Sequence, residues 1–484
     1  MKPIAIIFGG ITMRKYGLLL FTLLLIFTTS SVTNAEKTFG PDEWEQYRMN
    51  SDKNAVYENG SDALDAKTFK TANEVRSTPV IVGDRLFIGN HDSGELFAFD
   101  VNTGEKIWEE QAPNWIHSEM IYHDEKVFVG FGNRFFQDNG IRGTEESGVL
   151  ALDAETGQKL WKYNTEGEVM PTPAYYDGHI YITTGDRHLY KLDPDSGDLK
   201  HKEPLEGIAS MSSPNITEDT LFVGGSTPFP YTFTAYDLAE DDIAWQKDFP
   251  DVIAGLDDVP PAVADDIVVT TAVEGETTDP EHFMYAMDIN SGELLWKESL
   301  GKGEFVENNK SGAPMIYEGN IYVGSPITKT FYAYDLQTGE QLWKFENEIM
   351  KAPPVAQDDI VYFTNTKGYV YALDADDGNV LGKKELNKRD ASATPFNQEN
   401  ANSSAPLSPA GPVIINNTMF VGSQDSYVYS FPLKDITASE ESDDGKLKQD
   451  KKQINNIRWI VGISLILIIV IGWYSIKKLN KHNK

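Results

Sequence analysis

The stretch DVNTGEKIW, Asp100 to Trp108, returns as DAETGQKLW at Asp153–Trp161, DINSGELLW at Asp288–Trp296 and DLQTGEQLW at Asp335–Trp343. Degenerate copies begin at Asp193 (DPDSGDLKH), Asp237 (DLAEDDIAW) and Asp374 (DADDGNVLG). The gaps from Asp to Asp are 53, 40, 44, 51, 47 and 39 residues, the length of one four-stranded repeat. Each copy closes an aromatic-rich strand with Asp, turns through Ser/Thr-Gly and opens a strand carrying Trp. The Asp and Ser/Thr side chains can bond backbone groups inside the turn, and Gly104, Gly157, Gly292 and Gly339 take its positive-φ position. Trp108, Trp161, Trp296 and Trp343 then share one place on an outermost strand, where a large flat ring can dock between neighbouring units.

Upstream of each copy runs a second pattern: a proline or small residue, a strand, a tight turn, and a strand ending near Gly. Thr78 (TPVIVGDRLFIGN), Thr172 (TPAYYDGHIYITTG), Ala313 (APMIYEGNIYVGS), Pro353 (PPVAQDDIVYFTN) and Gly411 (GPVIINNTMFVGS) open clear examples, and segments from Glu119, Ser213 and Pro260 bring the count to eight. Four antiparallel strands cannot bury both faces alone, so the units must stack, and radial closure leaves only short, protected edges. The pattern predicts an all-β, eight-bladed β-propeller over residues 36–436. The last repeat, ending in YVYSF from Tyr427, lacks a fourth strand. The segment Trp44–Tyr57 is expected to supply it and clasp the ring. Each shared-position Trp is expected to be mostly buried, with an acceptor for its indole N–H.

The two ends read differently. Arg14 and Lys15 precede the apolar run GLLLFTLLLIFTTSSV, and Thr33-Asn34-Ala35 offers small residues at a cleavage point, so residues 1–35 form a signal peptide. An uncleaved anchor is the alternative, and Met13 offers a second start. From Trp459 to Ile476 there are 18 uncharged residues, enough for about 27 Å of helix. This marks residues 457–476 as a single C-terminal transmembrane helix. The basic tail, residues 477–484, places the C-terminus in the cytoplasm and the propeller outside. Residues 437–456, charged and poor in apolar side chains, form a polar disordered tether.

The formal charge is −32, of which residues 36–436 carry −39. Such a body repels phosphate polymers, which argues against nucleic-acid partners. The chain contains 0 Cys, which excludes disulfides, thiolate metal sites, a cysteine nucleophile and a lipidated N-terminal Cys.

The repeats resemble those of the pyrroloquinoline-quinone-type propeller family over roughly residues 40–436. That superfamily includes quinoprotein alcohol dehydrogenases and envelope assembly lipoproteins of Gram-negative outer membranes. The resemblance implies the fold rather than the chemistry. The vicinal disulfide of many alcohol-oxidising members is impossible without Cys, and no Glu/Asn/Asp calcium set can be placed by motif. The loop from Asp193 to Asp198 superficially suggests calcium but coincides with a repeat turn. No catalytic or metal residue is therefore assigned and no cofactor is expected. The non-enzymatic envelope branch fits better than the dehydrogenase branch, although this chain has no lipid-attachment Cys and an outer-membrane assembly role does not carry over.

Propellers bind on the face carrying the loops between strands two and three and between blades. The loops of repeats 2, 4 and 5 are enlarged there, while HDSG in repeat 1 is minimal. Candidate binding-face residues are Trp115, His117, Arg134, Phe135, Phe136, Phe229, Tyr231 and His282. The expected function is a membrane-anchored, monomeric, non-catalytic surface module binding a protein or cell-envelope ligand. A membrane-linked dehydrogenase using pyrroloquinoline quinone and calcium is the alternative.

Overall fold

A computed structural model describes residues 54–57, 62–307, 310–386, 406–407 and 409–437. The proposed signal peptide, transmembrane helix and basic tail lie outside these residues, as does the tether beyond Thr437. No helix among the described residues is long and apolar enough to cross a membrane.

The described residues fold into eight sheets, each a blade built on antiparallel strands that follow one another in sequence, with N-terminal strands added to the sheets of blades 7 and 8. Blade 1 consists of Val80–Val82, Arg85–Gly89, Glu95–Asp100 and Lys106–Gln111. Blades 2 to 7 begin at Ile121, Ala174, Asn215, Ala262, Met315 and Val355, and blade 8 at Val413. The middle strands are buried almost throughout, as in RLFIG and ELFAFD of blade 1, whereas its outer strand KIWEEQ buries only Trp108. Apolar side chains of successive blades interleave. Phe87 and Leu96 of blade 1, for example, share a cluster with Val127 and Leu150 of blade 2.

The repeat turn has the expected chemistry. Asp100 Oδ1 accepts the backbone N–H groups of Asn102 at 2.9 Å and Thr103 at 2.7 Å, and the Gly104 N–H closes on Asp100 O at 2.8 Å. Gly104, Gly157, Gly292 and Gly339 have φ of 78°, 75°, 67° and 70°. Asp153, Asp288 and Asp335 repeat the carboxylate contacts with Thr156, Ser291 and Thr338. These bonds hold the Asp100, Asp153, Asp288 and Asp335 carboxyls below the usual range. Asp193 likewise serves its own turn, accepting from Asp195 and Ser196, both at 2.9 Å.

The tryptophans bridge blades. Each indole N–H donates to a backbone carbonyl in the next blade's turn: Trp108 to Ala154 at 3.1 Å, and Trp161 to Pro194, Trp296 to Leu336 and Trp343 to Ala375, all at 3.0 Å. Trp245, in the degenerate copy from Asp237, does the same with Ile289 at 2.7 Å. Trp108 and Trp343 are buried, but Trp161 and Trp296 keep an exposed edge.

The closing strand corrects one expectation. Lys67–Lys70, not Trp44–Tyr57, pairs antiparallel with Tyr427–Ser430 and completes blade 8. Val56–Tyr57 instead lies parallel to Ala356–Gln357 of blade 7, and residues 44–53 fall outside the described set. In KTFK the apolar side chain faces the packed interface between blades 8 and 1. Phe69 is 0% exposed, with Phe99 of blade 1 at 5.7 Å and Phe420 of blade 8 at 6.3 Å between ring centroids. Thr78 Oγ1 donates to Ala410 O at 3.0 Å, tying blade 1 to the connection that enters blade 8.

Candidate functional site at the channel mouth

The connections between blades converge on the propeller axis and bound a cavity of about 220 Å³. Its basic lining is Arg76, Arg134, Arg142, Lys310 and Lys351, against two acids, Asp258 and Glu307. His91, His117, Phe136, Met170, Met211 and Pro409 contribute to the wall. Five cations facing two anions is the reverse of a chain whose formal charge is −32.

Two of the cations are already committed. Lys351 Nζ lies 2.7 Å from Asp258 Oδ2. Arg142 pairs through Nε with Glu168, which is fully buried, and through Nη1 with Ser210 Oγ at 3.1 Å. Burial pushes the Glu168 carboxyl up while the Arg142 guanidinium draws it back. Arg76, Arg134 and Lys310 have no ion-pair partner among the described residues, and Arg76 Nε is buried without a hydrogen-bond acceptor there.

The histidines stand beside these cations. His91, in the short HDSG loop, and His117, on the next connection, meet edge-on with ring centroids 3.8 Å apart. His91 Nδ1 contacts the Asp92 carboxylate. Burial holds both imidazoles below the ordinary histidine range, with Arg76 and Arg134 adding to the effect. Trp115 lies 6.5 Å from His91, 5.8 Å from His117 and 5.4 Å from Phe135. The enlarged loop of blade 2 thus carries an aromatic stack onto the rim.

Of the sequence-selected residues, His117, Arg134 and Phe136 line the mouth, and Trp115 and Phe135 stack beside it. Phe135 and Phe136 are each 53% exposed, and Phe229 is 67% exposed, but Phe229 does not line the cavity. Tyr231 is half-buried and donates to Ile253 O at 3.0 Å. It stands outside the mouth, its phenol pushed up chiefly by burial.

His282 corrects a second expectation. The supposed loop of repeat 5 is a long hairpin, Ile267–Glu276 with Asp279–Asp288. Strand alternation turns His282 inward, where it is fully buried between Ser325 Oγ and Ser311 Oγ, both at 2.8 Å. It is therefore a core residue, not one of the binding face. Arg76, His91, Lys310 and Lys351 were missed because each stands alone in sequence and only ring closure brings them together. The one local signal was the adjacent His91-Asp92 pair in a loop read as minimal.

An eight-bladed ring with a polar axial mouth and a repeated Asp-turn-Trp lock defines a quinoprotein-type propeller. The profile described as outer membrane protein assembly factor BamB matches residues 29–142, 131–228 and 231–440; the chain belongs to that family. Its similar proteins include the tetrathionate hydrolase of Acidithiobacillus ferrooxidans, 26% identical over 377 residues, 72% of this chain and 71% of the relative. BamB of Yersinia pestis is 22% identical over 367 residues, covering 73% and 83%. Among solved structures, BamB from Moraxella catarrhalis superposes with a TM-score of 0.55 at 15% identity, covering 75% of this chain and 98% of that one. Quinohemoprotein alcohol dehydrogenase from Comamonas testosteroni superposes with a TM-score of 0.59 at 12% identity, covering 82% and 81%. The structural likenesses support the fold alone.

Proposed function

We propose that this chain is a membrane-anchored propeller, displayed outside the cell, that binds an anionic group of a cell-envelope or protein ligand at the channel mouth without transforming it. The observation that carries the reading is the set of cations Arg76, Arg134 and Lys310, which have no ion-pair partner among the described residues, on the rim of an otherwise acidic body. A concave site lined by one sign of charge focuses its field on oppositely charged ligands. The exposed Phe135 and Phe136 beside it suit a ligand with an apolar portion. The signal-like N-terminus and the apolar 457–476 segment support display outside and anchorage. Kinship with assembly factors supports a binding role.

A second reading, hydrolysis of an anionic substrate, is favoured by the tetrathionate hydrolase relatives, since tetrathionate is itself an anion. A quinone enzyme fits less well. Calcium takes about six to eight oxygen ligands, while the carboxylates at the mouth are Glu307 and Asp258, the latter tied to Lys351.

Calorimetric titration of the full chain with tetrathionate and thiosulfate, followed by ion chromatography of the mixture, separates these readings. Saturable binding that weakens at least ten-fold in Arg134→Ala and Lys310→Ala, with tetrathionate recovered intact, is the expected result. Turnover would establish the hydrolase. Absence of binding, or binding indifferent to both substitutions, would remove the mouth as an anion site.

A further inference from the structure

We propose that His91, Asp92 and His117 form a binding site for a divalent transition-metal ion of zinc-like preference. Each residue offers a donor atom, and the three donors lie within 4.8 Å of one another. Ligands that each stand ~2.0–2.2 Å from a tetrahedral zinc lie roughly 3.4 Å from one another, a separation that modest side-chain rotation can reach from this spacing. Among the described residues this is the one cluster of its kind. Imidazole suits Zn, Cu, Ni and Fe rather than calcium or magnesium.

A second observation points to a missing ligand. His117 is 5% exposed, and its Nε2 is buried with no hydrogen-bond partner among the described residues. Buried ring nitrogens are normally satisfied. His282 of the same chain shows the ordinary case, with Ser325 on one nitrogen and Ser311 on the other. The His117 ring stands instead 3.8 Å from the His91 ring between centroids and offers one of the three donor atoms grouped with Asp92, a setting in which a metal ion would satisfy a ring nitrogen that lacks a partner.

The surroundings shape what such an ion could do. His91 and His117 line the mouth, so three protein ligands would leave a coordination position open to the cavity, as in sites that hold a water or a ligand. Arg76 and Arg134 lie near enough to act on both histidines. They oppose a bare cation and favour one whose open position carries an anion. The metal site therefore adjoins the anion-binding mouth but does not rest on it.

The test uses the full, untagged chain in detergent, stripped with chelator and titrated at pH 7.5 with Co²⁺ alone, read by visible absorbance, then with Zn²⁺ as displacer. One Co²⁺ per chain is expected, with ligand-field bands and displacement by Zn²⁺. His91→Ala and His117→Ala should each weaken uptake by about 100-fold, and Asp92→Asn by about 10-fold, while His179→Ala, at the turn between the first two strands of blade 3, leaves it unchanged. Because His117 is buried, the more exposed His91 and Asp92 variants carry the test if His117→Ala does not fold. A cooperatively melting chain that takes up no Co²⁺, or binds it equally well in His91→Ala, overturns the proposal. Thiosulfate binding by the chelated chain is measured in parallel, so loss of the anion site and loss of the metal site are read separately.

Discussion

The indole of Trp108 lies directly against Gly157 of the following blade: a Cβ built at Gly157 would stand 2.7 Å from Trp108 Cδ2, while Trp108 Nε1 donates to Ala154 O of the same turn at 3.1 Å. The arrangement recurs for Trp161 on Gly197, Trp245 on Gly292, Trp296 on Gly339 and Trp343 on Gly378. A repeat motif thus works across the blade boundary: the glycine of one unit is the platform for the tryptophan of the one before.

Gly157→Ala should therefore destabilise the propeller by about 3 kcal/mol, because the new methyl meets the indole and the position has φ of 75°. Trp108→Ala should cost about 3–5 kcal/mol through lost area and a residual cavity. Trp161→Ala, at a half-exposed site, should cost somewhat less. Trp115→Ala, removing only the rim stack, should cost about 1 kcal/mol. Urea melts of the four variants give the ranking; equal losses for Trp108 and Trp115 would contradict the inter-blade lock.

The closing strand predicts an asymmetry between two N-terminal segments. Phe69→Ala empties a fully buried site between blades 8 and 1 and should cost about 3–5 kcal/mol. Val56→Ala, on a two-residue parallel strand at the edge of blade 7, should cost about 1 kcal/mol or less. If Val56 proves the more sensitive, the ring is clasped elsewhere.

Arg142 is the ion-pair partner of the buried Glu168, and its guanidinium opposes the rise that burial imposes on that carboxyl. Arg142→Met should destabilise by about 3–5 kcal/mol at neutral pH, because it leaves a buried carboxylate unpaired. Burial already raises the Glu168 carboxyl above its ordinary 4.5, and removing the guanidinium raises it further. A carboxyl raised by folding favours the native state below its unfolded value and loses that contribution as pH rises through the folded value. The deficit of Arg142→Met should hence be small near pH 4 and grow as pH increases. The Arg142→Met/Glu168→Gln double variant should recover much of it. Thermal melts across pH decide the matter, and a deficit independent of pH would argue against a carboxylate origin.

His282 supplies the opposite pH dependence. Burial lowers its pKa from 6.5 to about 3, so between those values the unfolded chain binds a proton that the native chain refuses. Stability is full above pH 6.5 and should fall as pH drops, by about 1.4 kcal/mol per pH unit from this residue alone. Replacing His282 with Gln should flatten that limb of the stability–pH curve. An unchanged slope in a folded His282→Gln chain would place the titration elsewhere.

What the amino-acid sequence determined by itself was whatever repeats or is local. The spacing of Asp100, Asp153, Asp288 and Asp335 set the blade, because each turn is closed by a carboxylate two or three residues from the N–H it accepts. The Trp at a constant offset marked the outer strand for the same reason. Tertiary structure alone decided the rest. Which N-terminal segment completed blade 8 depended on where Phe69 could be buried, a comparison of long-range packing that no local pattern contains. His282 left the binding face because pairing of Ile267–Glu276 with Asp279–Asp288 extended the hairpin through the expected loop. The channel mouth is the clearest case. Arg76, Arg134 and Lys310 belong to three separate stretches of chain, and only radial closure converts scattered residues into one field around the axis.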